Sequence, residues 1–299
     1  MSAVDPIPAD VRARLRNLRL RARHGAGGDG FGQHQSRSRG AGLEFAQYRA
    51  YEPGDEPRRI DWKLYARSDR FFVRESERDS PLTLWLVVDA SASMAQADTA
   101  RPDWRKLDAA KTIAACAIEL ALRQGDRFGL IALGGESPAL IAAGAGARHR
   151  DRCLLELAQL DCAGAWPPES ALRPLWERVS PSSLVLVLSD FFDDAAADLA
   201  LRFAAAHREV LTVQMLSAEE RDFPFSGGHR FVDPESALDR RVDAAAVRED
   251  FIARFANARA TLARRFAAAG IRHAEYFLDE VPDRPLQRFF GGSIERMRA

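Results

Sequence analysis

Apolar runs of strand length alternate with segments of helical periodicity along most of this chain. The runs LTLWLVVDA, starting at Leu82, and SLVLVL, over Ser183–Leu188, are almost continuously apolar, which is typical of strands covered on both faces of a parallel sheet. Between them, apolar residues recur at helical spacing over Trp104–Arg123, and this helix is expected to stop at Gly125. Such alternation predicts right-handed βαβ connections and an α/β fold with a doubly wound, mostly parallel sheet.

The same patterns place the other elements of this domain, which we assign to residues 81–299. Further strands are expected over Phe128–Leu133, Ala139–Ala142, Glu209–Leu216, Gly227–Asp233 and Ile271–Phe277. Further helices are expected over Asp151–Leu160, Ser170–Val179, Ala195–His207, Ala244–Ala269 and Pro285–Phe290. Because ligands of an open α/β sheet bind outside the carboxyl ends of its strands, the residues that follow the strands are the first candidates for function.

Residues 1–80 form a different, N-terminal region. Ala9–Arg23 combines spaced leucines with arginines, which predicts a short amphipathic helix that packs on its own domain. Gly25–Gly42 is rich in glycine and is expected to be a loop, whereas Phe71–Glu77 alternates enough to be a strand. We therefore expect an accessory region of strand and loop that braces the main domain.

Composition and charge exclude several classes of protein. The chain has 299 residues, of which 46% are hydrophobic and 29% charged, as in an ordinary globular protein. Its 43 Lys and Arg residues balance 43 Asp and Glu residues, so no overall field attracts nucleic acid or an anionic membrane. The cysteines have no CxxC spacing, and no signal peptide or membrane segment is apparent, so we expect a reduced, cytoplasmic protein.

Oxygen-bearing side chains follow both apolar strands. Asp89, Ser91 and Ser93 come directly after LWLVV, and Asp190 follows LVLVLS. A carboxylate and two hydroxyls at alternate positions can point into one space, and a carboxylate from a neighbouring strand would complete an oxygen cage. Since Mg²⁺ prefers hard oxygen ligands and tolerates water among them, the pattern predicts a site for Mg²⁺, or for Mn²⁺.

Capping is the alternative interpretation of these residues. Asp89 could satisfy backbone N–H groups of its own loop, and Ser91 and Ser93 could cap the next helical turn. The full set of four residues favours a metal or ligand site over capping alone.

At these residues the chain resembles the von Willebrand factor A-like fold. Asp89, Ser91 and Ser93 match its Asp-x-Ser-x-Ser metal-ion-dependent adhesion motif, and Asp190 matches the aspartate of its third metal loop. The preceding block is similar to the R-x-Y-x-P-G-D-D-x-R-x-I-D-W pattern of the MoxR-associated, von Willebrand factor A-like family of unknown function. The matching residues are Arg49, Tyr51, Pro53, Gly54, Asp55, Arg58, Ile60, Asp61 and Trp62, with Glu56 as a mild departure. The resemblance extends from about Gly32 to the C-terminus.

This resemblance implies a non-enzymatic module for protein binding and assembly. In the family, the A-like domain is thought to present clients to a MoxR-type AAA+ ATPase in chaperone-like maturation of complexes. Mg²⁺ held by Ser91 and Ser93, with Asp89 and Asp190 acting through water, would leave one position for an Asp or Glu of a protein partner. Recognition of the partner would then depend on the cation.

The chain departs from the A-like pattern at the second metal loop, which normally supplies a threonine hydroxyl. The corresponding segment, Asp161–Leu172, reads DCAGAWPPESAL and contains no threonine. Ser170 could supply a hydroxyl in its place. A cage that lacks one direct ligand is expected to bind Mg²⁺ weakly, with water filling the gap.

The block ahead of the A-like domain offers a second hypothesis for partner binding. A partner-binding face could be formed by Arg49, Tyr51, Asp55, Arg58, Asp61 and Trp62. The alternative is a structural ion-pair network that braces the block against the A-like domain. The tryptophans of the chain, Trp62 included, are otherwise expected to be packing residues.

Two other functions are weighed against the binding module. A metal-dependent phosphoryl hydrolase could use Asp89, but the haloacid-dehalogenase pattern would need a second aspartate where this chain has Ser91. The arginine-rich N-terminal segment could bind nucleic acid, although it lacks a recognised motif and interleaved aromatic residues. We therefore expect no enzymatic activity and neither a membrane nor a nucleic-acid partner.

Overall fold

The computed structural model describes residues 6–22, 39–51, 60–77, 82–134, 138–232 and 239–291, with the backbone alone described at 39–49, 74–77, 176, 232 and 239–240. Contacts divide the chain into two compact units, Ala22–Leu82 and a larger one that joins Met1–Arg21 to Thr83–Ala299. The predicted division lies between residues 80 and 81, whereas the contacts place it between Leu82 and Thr83 and join the N-terminal helix to the larger unit. Most of the predicted loop over Gly25–Gly42, and Asp55 and Arg58, lie outside the described residues.

Helices and strands alternate along the larger unit much as the apolar pattern predicts. In chain order, the helices are α1 (Ala9–Leu15), α2 (Trp62–Ser68), α3 (Lys106–Gln124), α4 (Ala147–Gln159), α5 (Glu169–Arg178), α6 (Asp194–Ala205), α7 (Ala218–Asp222), α8 (Ala244–Ala268) and α9 (Arg284–Phe290). The strands are β1 (Arg39–Ala50), β2 (Phe72–Glu77), β3 (Thr83–Asp89), β4 (Arg127–Leu133), β5 (Ala139–Gly144), β6 (Leu184–Ser189), β7 (Glu209–Leu216), β8 (Gly228–Val232), β9 (Asp239–Asp243) and β10 (Arg272–Phe277).

One six-stranded sheet organises the larger unit, with the strand order β10-β7-β6-β3-β4-β5. Every neighbouring pair is parallel except β4 and β5, which are antiparallel at the edge of the sheet. The expected α/β fold with a doubly wound, mostly parallel sheet is therefore confirmed. No helix in the described part of the chain is long and apolar enough to cross a membrane.

The two apolar runs form the centre of this sheet. All six residues of β6 are buried, and β3 is buried from Leu84 to Asp89, because helices cover both faces of the sheet. On one face, Val87 and Val187 join a core cluster with Phe203 of α6 and Phe266 of α8. Because β3 and β6 are parallel neighbours, their carboxyl ends lie side by side at one edge, which we call the carboxyl edge.

The N-terminal helix is shorter than predicted. It ends at Leu15 instead of Arg23, and Leu18 and Leu20 are buried in irregular chain after it. Side chains of α3 provide the hydrogen bonds that a longer helix would have made, since Arg123 donates to the carbonyls of Leu15 and Leu18 at 2.8 and 3.3 Å. Leu18 and Leu20 are thus buried against the domain without being part of a helix.

The predicted strand over Gly227–Asp233 does not join the main sheet. It forms β8, which pairs in antiparallel fashion with β9 in a separate two-stranded hairpin. Neither β9 nor the short helix α7 was expected from the sequence, because both are short and polar.

The smaller unit contains the other two-stranded sheet, in which β1 pairs in antiparallel fashion with β2. The predicted loop through Gly42 is wrong at its end, since β1 already begins at Arg39. Helix α2 lies between the two strands in sequence. It is capped by Asp61, whose side chain accepts hydrogen bonds from the N–H groups of Lys63 and Leu64, both at 3.0 Å.

Candidate functional site

The four residues of the expected oxygen cluster come together at the carboxyl edge. Asp89 is the last residue of β3, Ser91 and Ser93 lie in the turn after it, and Asp190 directly follows β6. All four side chains are buried, with residue exposures of 5% or less. The sheet topology therefore brings these residues together across a sequence separation of about a hundred residues.

The Asp89 carboxylate accepts a hydrogen bond at each oxygen. Oδ1 accepts from the N–H of Ser91 at 2.9 Å, and Oδ2 accepts from the hydroxyl of Ser189 at 2.5 Å. Burial, and then the nearby charge of Asp190, raise the pKa of Asp89 to about 7, although these hydrogen bonds act in the opposite direction. Asp89 is thus poised between its acid and its carboxylate near neutral pH.

The two hydroxyls of the motif point toward each other. Ser91 Oγ lies 3.1 Å from Ser93 Oγ, and Ser91 stands at the N-cap of the 3₁₀ helix Ala92–Ala95 without making a side-chain capping bond. The capping interpretation therefore describes Asp89, which accepts the Ser91 N–H, better than it describes the two serines. Their hydroxyls share one buried space, as a ligand site requires.

The second loop packs on the first through its backbone. The N–H of Ala163 donates to the carbonyl of Ala90, and the N–H of Ala92 donates to the carbonyl of Gly164, both at 2.9 Å. Ser170, the proposed substitute for threonine, is exposed in the first turn of α5, and the structure gives it no contact with the motif. The loop segment that touches the motif thus contributes backbone atoms and no hydroxyl.

A buried lysine occupies the charged centre of this edge. Lys106, the first residue of α3, is 0% exposed, and its Nζ lies 3.3 Å from Asp190 Oδ2 and 2.7 Å from Glu220 Oε1. Burial alone would lower the pKa of Lys106, but the charges of Asp190 and Glu220 and their hydrogen bonds outweigh burial and raise the pKa above its ordinary value. The lysine is therefore an ammonium ion held between two carboxylates, and we call Lys106, Asp190 and Glu220 the lysine cluster.

The other acceptors of the lysine cluster are also occupied. Asp190 Oδ1 accepts from the N–H of Phe192 at 3.2 Å, and Glu220 Oε2 accepts from the N–H of Ser217 at 2.8 Å in the capping box of α7. The carbonyl of Asp190 accepts from Gln214 Nε2 at 3.0 Å, and Gln214 Oε1 is buried without a hydrogen-bond partner in the described structure. Gln214 Oε1 is thus a buried acceptor next to the lysine cluster whose hydrogen-bonding capacity is unused among the described residues.

An aromatic cleft of about 950 Å³ opens beside the lysine cluster. Its lining includes Phe223, Phe251 and Phe255. It also includes Glu220 of the lysine cluster and the neighbouring Phe192. The Phe192 ring lies over Lys106 Nζ, with 4.4 Å from the nitrogen to the ring centroid. The apolar cleft and the buried charges are therefore contiguous, an arrangement that is typical of binding sites.

Part of the predicted partner-binding block is described in the smaller unit. Arg49 lies in β1, and Asp61 caps α2, which is a structural role for that carboxylate. The expected packing role is not that of a core residue for Trp62, which is 59% exposed and, among the described residues, packs edge to face on Tyr65 and Phe71 at ring distances of 6.1 and 6.3 Å. Tyr51 also contacts Phe71, so the described part of the block presents an aromatic cluster.

The donors at the carboxyl edge fit a divalent cation only in part. Ser91 and Ser93 offer adjacent hydroxyls beside the Asp89 carboxylate, which are hard oxygen donors of the kind that Mg²⁺ prefers. Against this, Asp190 is engaged by an ammonium ion, and the described residues contain no group of three or more His, Cys, Asp or Glu side chains arranged to hold a metal. The residues present would hold Mg²⁺ through few protein oxygens, with water as the remaining ligands.

Lys106 and Glu220 were not expected from the sequence as residues of the site. One available signal was compositional, because Lys106 is one of only three lysines among 43 basic residues. The other was positional, because a basic residue in the first turn of a helix is disfavoured by the helix dipole and calls for an explanation. No local pattern distinguished Glu220.

Comparison with known sequences identifies relatives over most of the chain. The family described as "Protein of unknown function DUF58" matches residues 47–261. Uncharacterized proteins of Mycobacterium tuberculosis and Mycobacterium bovis are 31% identical over 235 residues, which cover 77% of this chain and 73% of theirs.

Solved structures that resemble this chain are much more distant in sequence. BatB, a conserved hypothetical protein from Bacteroides thetaiotaomicron, is 12% identical with a TM-score of 0.43, covering 70% of this chain and 95% of that one. The VWA domain of SpRpn10 is 13% identical with a TM-score of 0.38, with the same coverage. An aerotolerance-related membrane protein from Bacteroides fragilis is 12% identical with a TM-score of 0.44, covering 72% of this chain and all of that one. These similarities are distant, and the mostly parallel α/β fold of this chain rests on the topology of its own sheet.

Proposed function

The chain belongs to the family described as protein of unknown function DUF58, and on that premise we propose that it is a non-enzymatic protein-binding module. Its recognition site would lie at the carboxyl edge of the six-stranded sheet. The observation that carries this proposal is the convergence of Asp89, Ser91 and Ser93 with Asp190 next to an open aromatic cleft. In open α/β sheets, this edge is where ligands bind.

Cation dependence is the second part of the proposal. Ser91 and Ser93 would hold Mg²⁺, or Mn²⁺, directly, while Asp89 and Asp190 would act through water. Such an ion, when bound, supplies an open coordination position for an Asp or Glu of the partner. The residues around it exclude bulk water, since all four side chains are buried.

The environment of Asp89 supports a binding role over hydrolysis. Both of its oxygens accept hydrogen bonds, from Ser91 and Ser189, and burial favours its protonated form. Each oxygen already accepts one hydrogen bond, and burial disfavours the charge that a nucleophilic carboxylate needs. We therefore place no catalytic step at this residue.

The partner class rests on the resemblance to the MoxR-associated family. On that basis we propose a MoxR-type AAA+ ATPase as the partner, with a chaperone-like role in the maturation of complexes in the cytoplasm. The smaller unit supplies a second surface for such a partner, because Trp62 and Phe71 are 59% and 45% exposed. Exposed aromatic side chains are frequent anchors in protein interfaces.

The first experiment is isothermal titration of the purified chain with Mg²⁺ and with Mn²⁺. We expect weak, saturable binding that is lost in Asp89→Ala and retained in the control Asp279→Ala. Asp279 is a matched control because it is an exposed carboxylate after β10, outside the oxygen cluster. Thermal unfolding of both variants without a divalent cation checks that each is folded.

The second experiment mixes the chain with a purified MoxR-type AAA+ ATPase and measures complex formation by size-exclusion chromatography. One sample contains Mg²⁺, and the other contains EDTA to remove it. Complex formation that requires the cation and is reduced by Asp89→Ala supports the proposal, and a loss in Trp62→Ala assigns the second surface. Absence of binding to either cation overturns the cation-dependent part. Absence of a complex under all conditions overturns the proposed partner.

A further inference from the structure

We propose that Lys106 is a resident cation of this site, which competes with a divalent metal ion for Asp190 and so keeps the metal affinity low. The inference deepens the proposed function and rests on it, because it concerns the regulation of the same site. In the A-like pattern a metal ion supplies the positive charge of the site, whereas here the ammonium group of Lys106 would supply it.

The position of Lys106 Nζ carries the argument. The nitrogen contacts Asp190 Oδ2 at 3.3 Å and Glu220 Oε1 at 2.7 Å, and the ring of Phe192 covers it at 4.4 Å. Asp190 Oδ1 accepts from the Phe192 N–H, so each oxygen of this carboxylate already has one donor. An ion that coordinates Asp190 Oδ2 must therefore approach the positive charge of the ammonium group or displace it.

The fold holds Lys106 in place from several directions. Its own N–H donates to the carbonyl of Gln96 at 2.9 Å, which ties the start of α3 to the segment that follows the serine motif. Glu220 is fixed by its capping box in α7, and the backbone of Glu219 donates to Asp98 at 2.9 Å. The ammonium group is thus held by two anchored elements and is not a flexible surface side chain.

The position of Lys106 costs free energy unless its positive charge has a stabilising partner. A fully buried ammonium ion loses its hydration, and its position in the first turn of α3 sets it against the positive end of the helix dipole. Two carboxylates offset both costs. A neutral side chain of the same length would avoid these costs, so the geometry points to the charge as the reason for the lysine.

Competition by Lys106 makes a specific prediction about net charge. Lys106→Met removes a positive charge and would strengthen metal binding even through simple electrostatics, so this variant alone does not separate the two explanations. The double variant Lys106→Met/Glu220→Gln removes one positive and one negative charge together. It leaves the net charge of the lysine cluster unchanged, while it frees Asp190 from the ammonium group.

The experiment compares Mg²⁺ and Mn²⁺ affinity by calorimetry in the full chain and four variants. We expect Lys106→Met and the double variant to bind about tenfold more tightly than the unmodified chain, since a direct charge competitor is gone. Glu220→Gln is expected to bind Mg²⁺ and Mn²⁺ more weakly. In this variant Asp190 is the remaining carboxylate of the lysine cluster, so it is held more strongly by the ammonium group of Lys106. Lys111→Met is the matched control, because it removes the same charge from the same helix, where Lys111 donates to the carbonyl of Leu160.

The outcomes separate this inference from the proposed function. Equal affinity of the double variant and the unmodified chain, with both folded by thermal unfolding, would mean that only net charge matters and overturns the inference. No binding by the unmodified chain together with binding by the double variant supports the inference and overturns cation-dependent recognition by the natural protein. Tighter binding in Lys111→Met by the same factor overturns it as well, since Lys111 does not touch the site.

Discussion

His273 in β10 is a half-buried basic side chain outside the candidate site. Its Nδ1 lies 2.9 Å from the Thr212 hydroxyl, and its ring packs near Phe191 and Phe266, at centroid distances of 6.5 and 5.2 Å. Burial lowers the pKa of His273 to about 4, because the charged imidazolium would lose its hydration among these rings. The environment of His273 therefore favours its neutral form, whereas the carboxylates around Lys106 favour the charged form of that lysine.

The lowered pKa of His273 predicts a loss of stability in acid. Between pH 6.5 and pH 4 the unfolded chain binds the proton and the folded chain does not, so the free energy of unfolding falls as the pH decreases through this range. The full effect is up to about 3 kcal/mol, because a difference of one in pKa between the folded and unfolded chain corresponds to about 1.4 kcal/mol. In His273→Gln, which can keep a hydrogen bond to Thr212, urea unfolding at several pH values should show a flatter profile. If the free energy of unfolding of His273→Gln depended on pH as steeply as that of the unmodified chain, His273 would not be the source of the acid sensitivity.

Helix α1 illustrates how an element is held by distant residues. The Arg14 guanidinium donates to Asp283, with Nε 2.9 Å from Oδ2 and Nη2 2.8 Å from Oδ1, and the Asp283 side chain is 0% exposed. The bidentate pair raises the pKa of Arg14 above its ordinary value, chiefly through the hydrogen bonds to Asp283. Together with the buried Val11 and Leu15, this pair makes α1 part of the larger unit.

Breaking the α1 contact should destabilise the larger unit. Arg14→Met leaves the buried Asp283 carboxylate without its cation, and we expect a loss of about 2 kcal/mol, less than for a fully buried pair because Arg14 is itself partly exposed. The measurement is the free energy of unfolding in urea. Asp10→Ala is the control, since it removes the exposed partner of the same arginine and should change stability little.

The larger unit is organised by one sheet in which β3 pairs with β6 and β7 pairs with β10, although these partners are far apart in the chain. Strand β6 pairs with β3 on one side and with β7 on the other, so it lies in the interior of the sheet. Leu186, at 1% exposure, lies in the middle of this strand. Parallel strands connected by helices provide few local contacts, so the unit is expected to unfold cooperatively.

A pair of leucine truncations tests this expectation. Leu186→Ala should lower the free energy of unfolding by about 3 kcal/mol through lost burial and a cavity in the central strand. Leu155→Ala, at a leucine that is 60% exposed on α4, should have almost no effect. If far-ultraviolet circular dichroism and tryptophan fluorescence gave separate transitions for Leu186→Ala, the unit would not unfold as one body.

Much of the fold and part of the site could be predicted from local patterns. The buried strands β3 and β6 follow from their apolar runs, and the carboxyl edge follows from their parallel arrangement, so the pattern alone predicts that Asp89, Ser91, Ser93 and Asp190 lie together. The end of α1 and the hairpin strand β9 were not predicted, because both depend on packing partners that the local sequence does not reveal.

What the sequence determined by itself is therefore the alternation of elements, the class of fold and the oxygen-bearing motif, because each depends on residues close together in the chain. Only the tertiary structure decided that Asp190 faces an ammonium ion, that Ser170 stands apart from the motif, and that Trp62 is exposed. Lys106 is separated by 84 residues from Asp190 and by 114 from Glu220. Contacts over such distances are set by the order of strands and the docking of helices, and no periodicity along the chain encodes them.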